Sequence, residues 1–379
     1  MKSIISEALT RHEEAKKAEA QQQQQQQQPQ QFTSPDDDVI KQLAEQLKVS
    51  IKIVGCGGGG CNTINRCVEE GITGAEMCAI NTDAKHLLSI KSPRKILIGQ
   101  RTTRGLGAGA RPEVGEEAAR ESENEIKQFL SGANIVFVTA GMGGGTGTGS
   151  AHFVARLAKE MGALVLGVVT LPFSSEGTVR MEQAKDGLER LRRVCDTTIV
   201  ISNDKLLELV PRLPLDAAFK VADEILMTAI KGITEILTKP GLVNLDYADL
   251  LTVMKDGGVA LIGLGESDSS TDRVTEAVNM ALTSPLLGSI DLSQAQGALV
   301  RITGGSSMSV SEAQKASELV NARVSKRARI IWGASIDPTL GDKIQVLLII
   351  TGAKSESLLG RNRGGYATGE GDDTLDFVR

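Results

Sequence analysis

Two glycine-rich loops dominate the chemistry that this chain of 379 residues could perform. One loop spans residues 55–62 (GCGGGGCN) and the other spans residues 141–149 (GMGGGTGTG), and each follows an apolar, β-branched run. Glycine lets backbone N–H groups approach an anion closely, and a helix that begins at such a loop adds the positive end of its dipole. The two loops together predict a single polyphosphate ligand.

The glycine spacing also fits a second class of protein. Residues 55–60 match GxGxxG after a strand, the pattern of a dinucleotide-binding Rossmann oxidoreductase, although any run of glycines satisfies it. The second loop argues against that fold, because a dinucleotide needs one pyrophosphate turn and this loop adds hydroxyls at Thr146 and Thr148. Neither loop contains Gly-Lys-Ser or Gly-Lys-Thr, which excludes a Walker loop. We therefore expect backbone dipoles and a cation to hold the phosphates.

Polar side chains follow three further apolar runs. Residues 81–84 (NTDA) could cap the next helix or reach a ligand. Glu176 and Arg180 are four residues apart, so a salt bridge on one helix is the alternative to ligand binding. Asn203 places an amide where it could contact a purine or a ribose.

An acidic pair offers a different chemistry. Asp246 and Asp249 lie three residues apart after a long predicted helix, close to the start of the next one. Carboxylates in a first turn stabilise a helix through its dipole, which is the structural explanation. The functional explanation is that two carboxylates orient or deprotonate a water that attacks a phosphoanhydride. The spacing alone favours neither.

These motifs need a scaffold that brings strand ends together. From residue 49 to about 195, short apolar runs alternate with helical patterns, which predicts a parallel sheet covered on both faces. Ligands of such sheets bind at the carboxyl ends of the strands, where both glycine loops fall. The predicted strands are residues 51–54, 77–80, 95–98, 135–139, 164–170, 198–201, 298–302, 330–335 and 344–351. The last three, with helices at 272–282 and 309–324, predict a smaller α/β domain after one long, largely buried helix at 216–238.

Composition excludes several classes of function. The formal net charge is −5 and no basic, aromatic-interleaved stretch is present, so nucleic acid is not an expected partner. The five cysteines lack CxxC spacing and the three histidines are scattered, which argues against a disulfide framework or a protein metal cluster. No apolar run is long enough for a transmembrane helix, so we expect a cytoplasmic protein. Residues 1–48, with a glutamine tract at 21–28, predict a flexible extension that cannot form a core.

Taken together, the motifs resemble those of the FtsZ family of tubulin-like GTPases, and in particular its archaeal members. GMGGGTGTG at 141–149 is the most specific element and has the form of the tubulin signature. The other similar motifs are the first loop with Asn62, NTDA at 81–84, GLGAGARPEVG at 105–115, the spacing of Glu176 and Arg180, the turn at 203–205 and NLDYAD at 244–249. They occur in the family's order between about residues 49 and 352.

The resemblance implies a fold and its boundaries. It predicts an α/β architecture in which a parallel-sheet GTPase domain of the tubulin/FtsZ type is joined by a long central helix to a smaller α/β domain. The implied segments are the extension 1–48, the GTP-binding domain 49–215, the central helix and its following loop 216–242, the C-terminal α/β domain 243–353 and a flexible tail 354–379.

The resemblance also implies that the chain binds GTP, cleaves it to GDP and phosphate, and uses Mg²⁺. Glu176 and Arg180 would contact the ribose or the phosphates, and Phe219 would stack beside the base. Asn203 and Asp223 would recognise guanine, because a carboxylate accepts two N–H donors that adenine does not supply. The full implied binding set is Gly57, Gly58, Gly59, Gly60, Cys61, Asn62, Asp83, Ala84, Ala108, Gly109, Ala110, Gly141, Gly143, Gly144, Gly145, Thr146, Gly147, Thr148, Glu176, Arg180, Asn203, Phe219 and Asp223.

Asn244, Asp246 and Asp249 match the family's synergy loop, whose carboxylates act on GTP held by the neighbouring subunit. The resemblance therefore implies head-to-tail filaments, hydrolysis that depends on assembly, and a division ring at mid-cell. A filament of the same fold that acts in cell shape is the alternative. Residues 375–379 (LDFVR) resemble part of the family's tail motif LDIPxFLR without its proline, and imply a membrane-adaptor partner.

Overall fold

The computed structural model describes residues 49–209, 214–239, 241–243, 245–288 and 291–352, and of residues 215 and 216 it describes the backbone alone. The predicted extension 1–48 and tail 354–379 lie outside the described residues, and so does Asn244. The predicted domain boundaries stay predictions. Within the described ranges, no helix is both long enough and apolar enough to cross a membrane.

Ten strands in the described residues form a single sheet. They are β1 (Ile51–Cys56), β2 (Ala75–Asn81), β3 (Arg94–Leu97), β4 (Ile135–Gly141), β5 (Leu164–Leu171), β6 (Thr197–Ser202), β7 (Gly258–Ser267), β8 (Gly297–Gly304), β9 (Arg329–Ile336) and β10 (Ile344–Thr351). Across the sheet they lie in the order β3-β2-β1-β4-β5-β6-β7-β10-β8-β9. Neighbours are parallel except where β10 pairs with β7 and with β8. The predicted α/β fold with a parallel sheet is confirmed.

Eleven α-helices in the same part of the chain connect and cover the strands. They are α1 (Gly57–Glu69), α2 (Ala84–Ser89), α3 (Pro112–Glu121), α4 (Glu123–Leu130), α5 (Thr146–Glu160), α6 (Thr178–Arg192), α7 (Asn203–Leu209), α8 (Leu215–Thr238), α9 (Tyr247–Met254), α10 (Arg273–Leu282) and α11 (Val310–Asn321). Each glycine-rich loop links a strand to a helix, as predicted: β1 leads into α1, and β4 leads into α5.

Side chains of the central strands alternate between the two faces of the sheet, as extended backbone requires. In β1, Ile51 and Ile53 pack on one face, whereas Val54 and Cys56 pack on the other, and all four are buried. The first face is continuous from β1 to β10, and the buried side of α8 covers it. The long helix that the sequence predicted is therefore an internal element that contacts both halves of the sheet.

The sequence did not predict β7, because its glycines disfavour strand formation. The structure explains why they are there. A Cβ atom at Gly263 would lie 2.2 Å from the carbonyl oxygen of Ala281, and one at Gly265 would lie 2.1 Å from that of Ala277. Glycine thus lets α10 pack directly on the strand, and the long register of β7 with β10 supplies the hydrogen bonds.

Candidate nucleotide-binding site

The carboxyl ends of β1 and β4 place the two glycine-rich loops side by side. The strands pair with Cys56 opposite Ala140, so α1 begins at Gly57 beside the loop that follows β4. A Cβ atom at Gly57 would lie 2.5 Å from the backbone nitrogen of Gly147, and Gly57 has a φ of +70°. Glycine alone combines this close approach with a left-handed conformation at little cost. The two loops are in backbone contact, as a shared ligand requires.

A cavity of about 390 Å³ opens at this edge of the sheet, within the range of roughly 300–1,000 Å³ that is typical of ligand sites. Thirteen of the predicted binding residues line it: Gly58, Gly59, Asn62, Gly141, Gly144, Gly145, Thr146, Gly147, Glu176, Arg180, Asn203, Phe219 and Asp223. Five residues from outside the predicted set complete the wall: His86, Met142, Thr170, Pro172 and Ala222. The cavity therefore gathers side chains that are far apart in sequence.

Ten predicted binding residues are not part of the wall: Gly57, Gly60, Cys61, Asp83, Ala84, Ala108, Gly109, Ala110, Gly143 and Thr148. Some of them shape the loops instead. The hydroxyl of Thr148 accepts the Gly143 N–H at 2.9 Å, and the carboxylate of Asp83 accepts the His86 N–H at 3.0 Å and caps α2. The structural explanation for NTDA is thus observed, while contact of these ten residues with GTP stays a prediction.

Two polar side chains in the cavity wall, those of Asn203 and Asp223, are shielded from water without full compensation by hydrogen bonds or charges. The Oδ1 atom of Asn203 is buried and has no hydrogen-bond partner in the described part of the chain. Burial raises the pKa of Asp223 to about 7. Phe219 lies beside them, 38% exposed, and packs edge-on against the buried Phe173 at 5.2 Å between ring centroids. A flat group with N–H donors would satisfy both polar side chains and cover the exposed ring.

Glu176 and Arg180 form the helical salt bridge that their spacing allowed. The Nε atom of Arg180 lies 3.1 Å from Oε2 of Glu176. The other carboxylate oxygen of Glu176 accepts the Phe173 N–H at 2.7 Å. Both side chains also line the cavity, so the ion pair does not remove them from the site. The pair therefore fixes two polar groups at the wall of the cavity.

Comparison with known proteins decides the family. Residues 50–211 match the model of the Tubulin/FtsZ family, GTPase domain, and residues 258–354 match that of the FtsZ family, C-terminal domain. The chain is 55% identical over 379 residues, 100% of each chain, to Cell division protein FtsZ 1 from Archaeoglobus fulgidus. The chain belongs to the FtsZ family. A second relative, Cell division protein FtsZ 1 from Thermococcus kodakarensis, is 53% identical over 94% of this chain and 92% of its own.

Solved structures agree with membership of the FtsZ family. An FtsZ from M. jannaschii, described as an empty dimer, aligns with a TM-score of 0.80 and 52% identity over 84% of this chain and 93% of that one. CetZ2 from Haloferax volcanii, described as a GTPgS-bound protofilament, aligns with a TM-score of 0.70 over 82% of this chain and 96% of that one. Its identity is 21%, so this likeness shows the fold alone. The predicted tubulin/FtsZ fold is confirmed.

The acidic pair of this FtsZ family member forms a capping box at the start of α9. Oδ1 of Asp246 accepts the Asp249 N–H at 2.7 Å, and Oδ2 of Asp249 lies 3.4 Å from the Asp246 nitrogen. Both side chains are exposed, and neither belongs to the described wall of the cavity. Their structural role is thus observed. A role in hydrolysis requires that they reach the nucleotide of another subunit.

Sequence reasoning missed five residues of the cavity wall, and His86 has the chemically most versatile side chain among them. It lies in the first turn of α2, three residues after the cap Asp83. Its ring nitrogens face Asn81 at 3.1 Å and Asn62 at 3.2 Å. The signal that could have revealed it is positional, because α2 starts at the carboxyl edge of β2, where the ligand of such a sheet binds.

Proposed function

We propose that this member of the FtsZ family binds GTP in the cavity, hydrolyses it to GDP and phosphate, and polymerises head-to-tail into filaments of the cell-division ring. One observation carries the proposal. Two loops rich in backbone N–H groups converge at a cavity that also holds the half-buried carboxyl of Asp223 and the partnerless amide oxygen of Asn203, within the described residues. The match to the GTPase domain supports hydrolysis, and the relatives named as cell division proteins support the cellular role.

The phosphate end of the site relies on backbone. Helices α1 and α5 both begin at the cavity, and neither first turn contains an acidic residue. Their positive dipole ends and free N–H groups favour an anion there. We assign the phosphates to the amides of Gly58, Gly59 and residues 144–147. This arrangement needs no lysine, in keeping with the lack of a Walker sequence.

Mg²⁺ would bind mainly through the nucleotide. The described wall supplies two carboxyl groups, Glu176 and Asp223, and the first is already paired with Arg180. This donor set does not form a protein cage for a metal ion. Mg²⁺ does not need one, because it keeps several waters and takes phosphate oxygens as ligands. When bound, it would neutralise charge that develops on the phosphates during cleavage.

The base end would select guanine. Ionised Asp223 accepts the two N–H donors on one edge of guanine, and adenine lacks that pair. Asn203 has both a donor and an acceptor, and its free acceptor is already buried at the cavity. Phe219 supplies an exposed aromatic ring, which gains contact area when the base stacks beside it. Ribose and phosphate would lie between this end and the loops, next to Glu176 and Arg180.

Hydrolysis would be completed by a second subunit. Asp246 and Asp249 are exposed on this chain, so they are free to meet the cavity of a neighbouring copy. There a carboxylate can orient and deprotonate the attacking water, a role that contributes about 10²–10⁴-fold in rate. Head-to-tail contacts of this kind are heterologous and extend into a filament. Under this proposal, GTP hydrolysis depends on filament assembly.

The Asp246→Asn variant tests the proposal. Asparagine is as good an N-cap as aspartate, so α9 keeps its start while the carboxylate is lost. We expect GDP affinity within about twofold of the original protein and a turnover reduced by about 10²-fold or more. GTPase activity should be measured with light scattering over a range of protein concentrations, since activity per subunit should rise as filaments form.

Two outcomes would contradict the proposal. Unchanged turnover in Asp246→Asn would remove the catalytic role of the carboxylate. A wild-type activity per subunit that does not depend on protein concentration would remove the shared site. Asp268→Asn serves as the matched control, because Asp268 is also an exposed carboxylate but follows β7, at the opposite end of that strand from α9.

The role in division rather than cell shape is a separate question. We propose division, at the mid-cell site, because the two archaeal relatives described above are named cell division proteins. Depletion in the native organism should produce cells that fail to septate, whereas altered shape with normal septa would favour the alternative. The predicted adaptor-binding tail at 375–379 lies outside the described residues and stays a prediction.

A further inference from the structure

His86 lies at the phosphate side of the cavity, between two asparagine side chains. Its ring contacts Asn81 at the end of β2 and Asn62 in the second turn of α1. Asn62 lines the cavity and is the last residue of the first glycine-rich loop. A side-chain amide in that position has two faces of opposite polarity, and only its N–H side can bind an anion.

The backbone determines how these three side chains are oriented. The N–H groups of Thr82 and Asp83 point at Oδ1 of Asn81, at 2.9 Å and 3.4 Å. A backbone N–H can only donate, so the oxygen of Asn81 is fixed on that side and its Nδ2 faces the ring. Nδ2 of Asn81 must then donate to Nδ1 of His86 across 3.1 Å. The tautomer that fits this hydrogen bond carries its proton on Nε2.

The direction of hydrogen-bond donation continues from His86 toward the cavity. With its proton on Nε2, His86 donates to Oδ1 of Asn62 across 3.2 Å. The oxygen of Asn62 is thus occupied, and both N–H donors of its amide are left for the cavity. Without that anchor the amide can turn over and present its oxygen to the ligand, where it would repel phosphate oxygens.

We propose that His86 is a positioning residue, which holds the Asn62 amide so that its N–H donors meet the phosphate oxygens of the bound nucleotide. This inference rests on the proposed function of the cavity. His86 does not act on the reaction itself. The capping of α2 by Asp83, which accepts the His86 backbone N–H, keeps the ring in place on a short helix.

The test compares two substitutions of His86 and two ligands in the full-length protein. His86→Gln keeps an N–H donor near the position of Nε2, whereas His86→Leu removes it. Binding of GDP and of guanosine should be measured by calorimetry. We expect His86→Leu to weaken GDP binding about tenfold, the scale of one hydrogen bond to a charged group, and to change guanosine binding less than about twofold.

His86→Gln should recover GDP binding to within about threefold of the original protein, since an amide can replace the donor. Equal losses for GDP and guanosine in His86→Leu would indicate a general structural effect and overturn the inference. Unchanged GDP binding would overturn it as well. If the original protein binds neither ligand, the proposed function fails and the inference fails with it. The two failures are therefore distinguishable.

Nitrogen NMR of the histidine rings gives a second, independent readout. The chain has three histidines, His12, His86 and His152, so single substitutions of the other two assign the signals. In the nucleotide-free protein above about pH 8, we expect His86 as the tautomer protonated on Nε2. A proton on Nδ1 would reverse the polarity of the chain of hydrogen bonds and overturn the inference.

Discussion

At the scale of single residues, the proposed role of Asp223 in base recognition depends on its ionisation, which burial opposes. Burial raises its pKa to about 7, Arg66 nearby opposes that rise, and Glu224 adds to it. Only the ionised carboxylate accepts two N–H donors from guanine, so binding favours ionisation. At a pH below about 7, a bound base must first displace a proton from this side chain. Affinity for guanine should therefore rise with pH and then level off.

Asp223→Asn should weaken guanosine binding and abolish its pH dependence. Guanosine is the suitable ligand because it has no phosphate that titrates in this range. For the original protein we expect the dissociation constant to fall by up to about tenfold per unit between about pH 5 and pH 6, and to be flat above about pH 8. Calorimetry across this range checks it. A pH dependence that survives in Asp223→Asn would show that another group is responsible.

The stability of the nucleotide-free protein should show the opposite trend. In the unfolded chain Asp223 loses its proton near 3.8, whereas the folded chain keeps it up to about 7. Between these values the folded state binds more protons, so the contribution of Asp223 to the free energy of unfolding falls as pH rises. The melting temperature of Asp223→Asn relative to the original protein should therefore increase from about pH 4 to about pH 7.

Residue types and spacing predicted most of the cavity wall, and the reason differs between its parts. The glycine loops were predictable because phosphate binding demands backbone approach, which leaves a visible pattern. Asn203 was a candidate because it follows a predicted strand, whereas Asp223, inside a helix, came from the resemblance alone. His86 was not predicted, because its position depends on how α2 folds back toward α1, and a single histidine in a sequence carries no sign of its partners.

At the scale of elements, the packing of α10 on β7 depends on glycine. Gly265→Ala would place a methyl group 2.1 Å from the carbonyl oxygen of Ala277, which is backbone and cannot move aside cheaply. We expect a loss of about 2–3 kcal/mol in the free energy of unfolding, measured by denaturant unfolding. Gly333→Ala in β9 is the matched control, because its nearest neighbour would be 3.4 Å away. Equal effects of the two substitutions would refute this explanation.

An ion pair joins α8 to the second half of the sheet. Glu235 on α8 is buried and bonds to Arg301 on β8, which also donates to the carbonyl of Lys231 at 3.2 Å. Lys239 contacts the same carboxylate at 2.5 Å. Although burial raises the pKa of Glu235, its hydrogen bonds to Lys239 and Arg301 lower it below the ordinary value. This contribution to stability is present at neutral pH and is lost as pH falls through the lowered pKa.

Arg301→Met should destabilise the protein by about 3 kcal/mol, because it leaves a buried carboxylate with one exposed partner. The double variant Arg301→Met with Glu235→Leu should recover most of that loss, since a pair of apolar side chains has no charge to desolvate. Denaturant unfolding of the two single variants and the double variant gives the coupling. If the losses of the single variants simply add, the two residues are not coupled.

The sequence also predicted most strands and the long helix, and the one strand that it failed to predict, β7, has a physical explanation. Nine predicted strands each correspond to an observed one, with ends within two residues, because apolar runs between helical patterns mark buried parallel strands. The tenth strand, β7, was not predicted because Gly263 and Gly265 weaken the local strand pattern. These glycines are needed for the close contact with α10. Tertiary packing, invisible in the local sequence, overrode propensity there.

At the scale of the whole molecule, the two parts of the proposed site lie at separate places on one chain. The cavity lies at the carboxyl ends of β1 and β4, whereas Asp246 and Asp249 cap α9, which precedes β7. The sheet pairing between β6 and β7 covers only three positions, from Thr197 to Ile199. The whole sheet is nevertheless continuous, and α8 packs along its length. The cavity of one copy and the acidic pair of the next copy would together make one complete site.

Two defective proteins should therefore restore activity to each other when mixed. Asp246→Asn keeps an intact cavity, and Asp223→Asn keeps an intact acidic pair. At a GTP concentration too low to fill the Asp223→Asn cavity, each protein alone should be nearly inactive. In an equal mixture, about one quarter of random head-to-tail contacts join an intact cavity to an intact acidic pair, so activity should recover toward about a quarter of the original value.

The mixing result separates a shared site from a site within one chain. If each chain completed its own site, mixing would give only the average of the two low activities at every ratio. Under the shared arrangement, activity should instead peak near equal amounts, because the number of productive contacts follows the product of the two fractions. A turnover assay at constant total protein, with the ratio varied, measures this curve. A straight line between the two pure proteins would contradict hydrolysis across subunits, whatever the filaments look like.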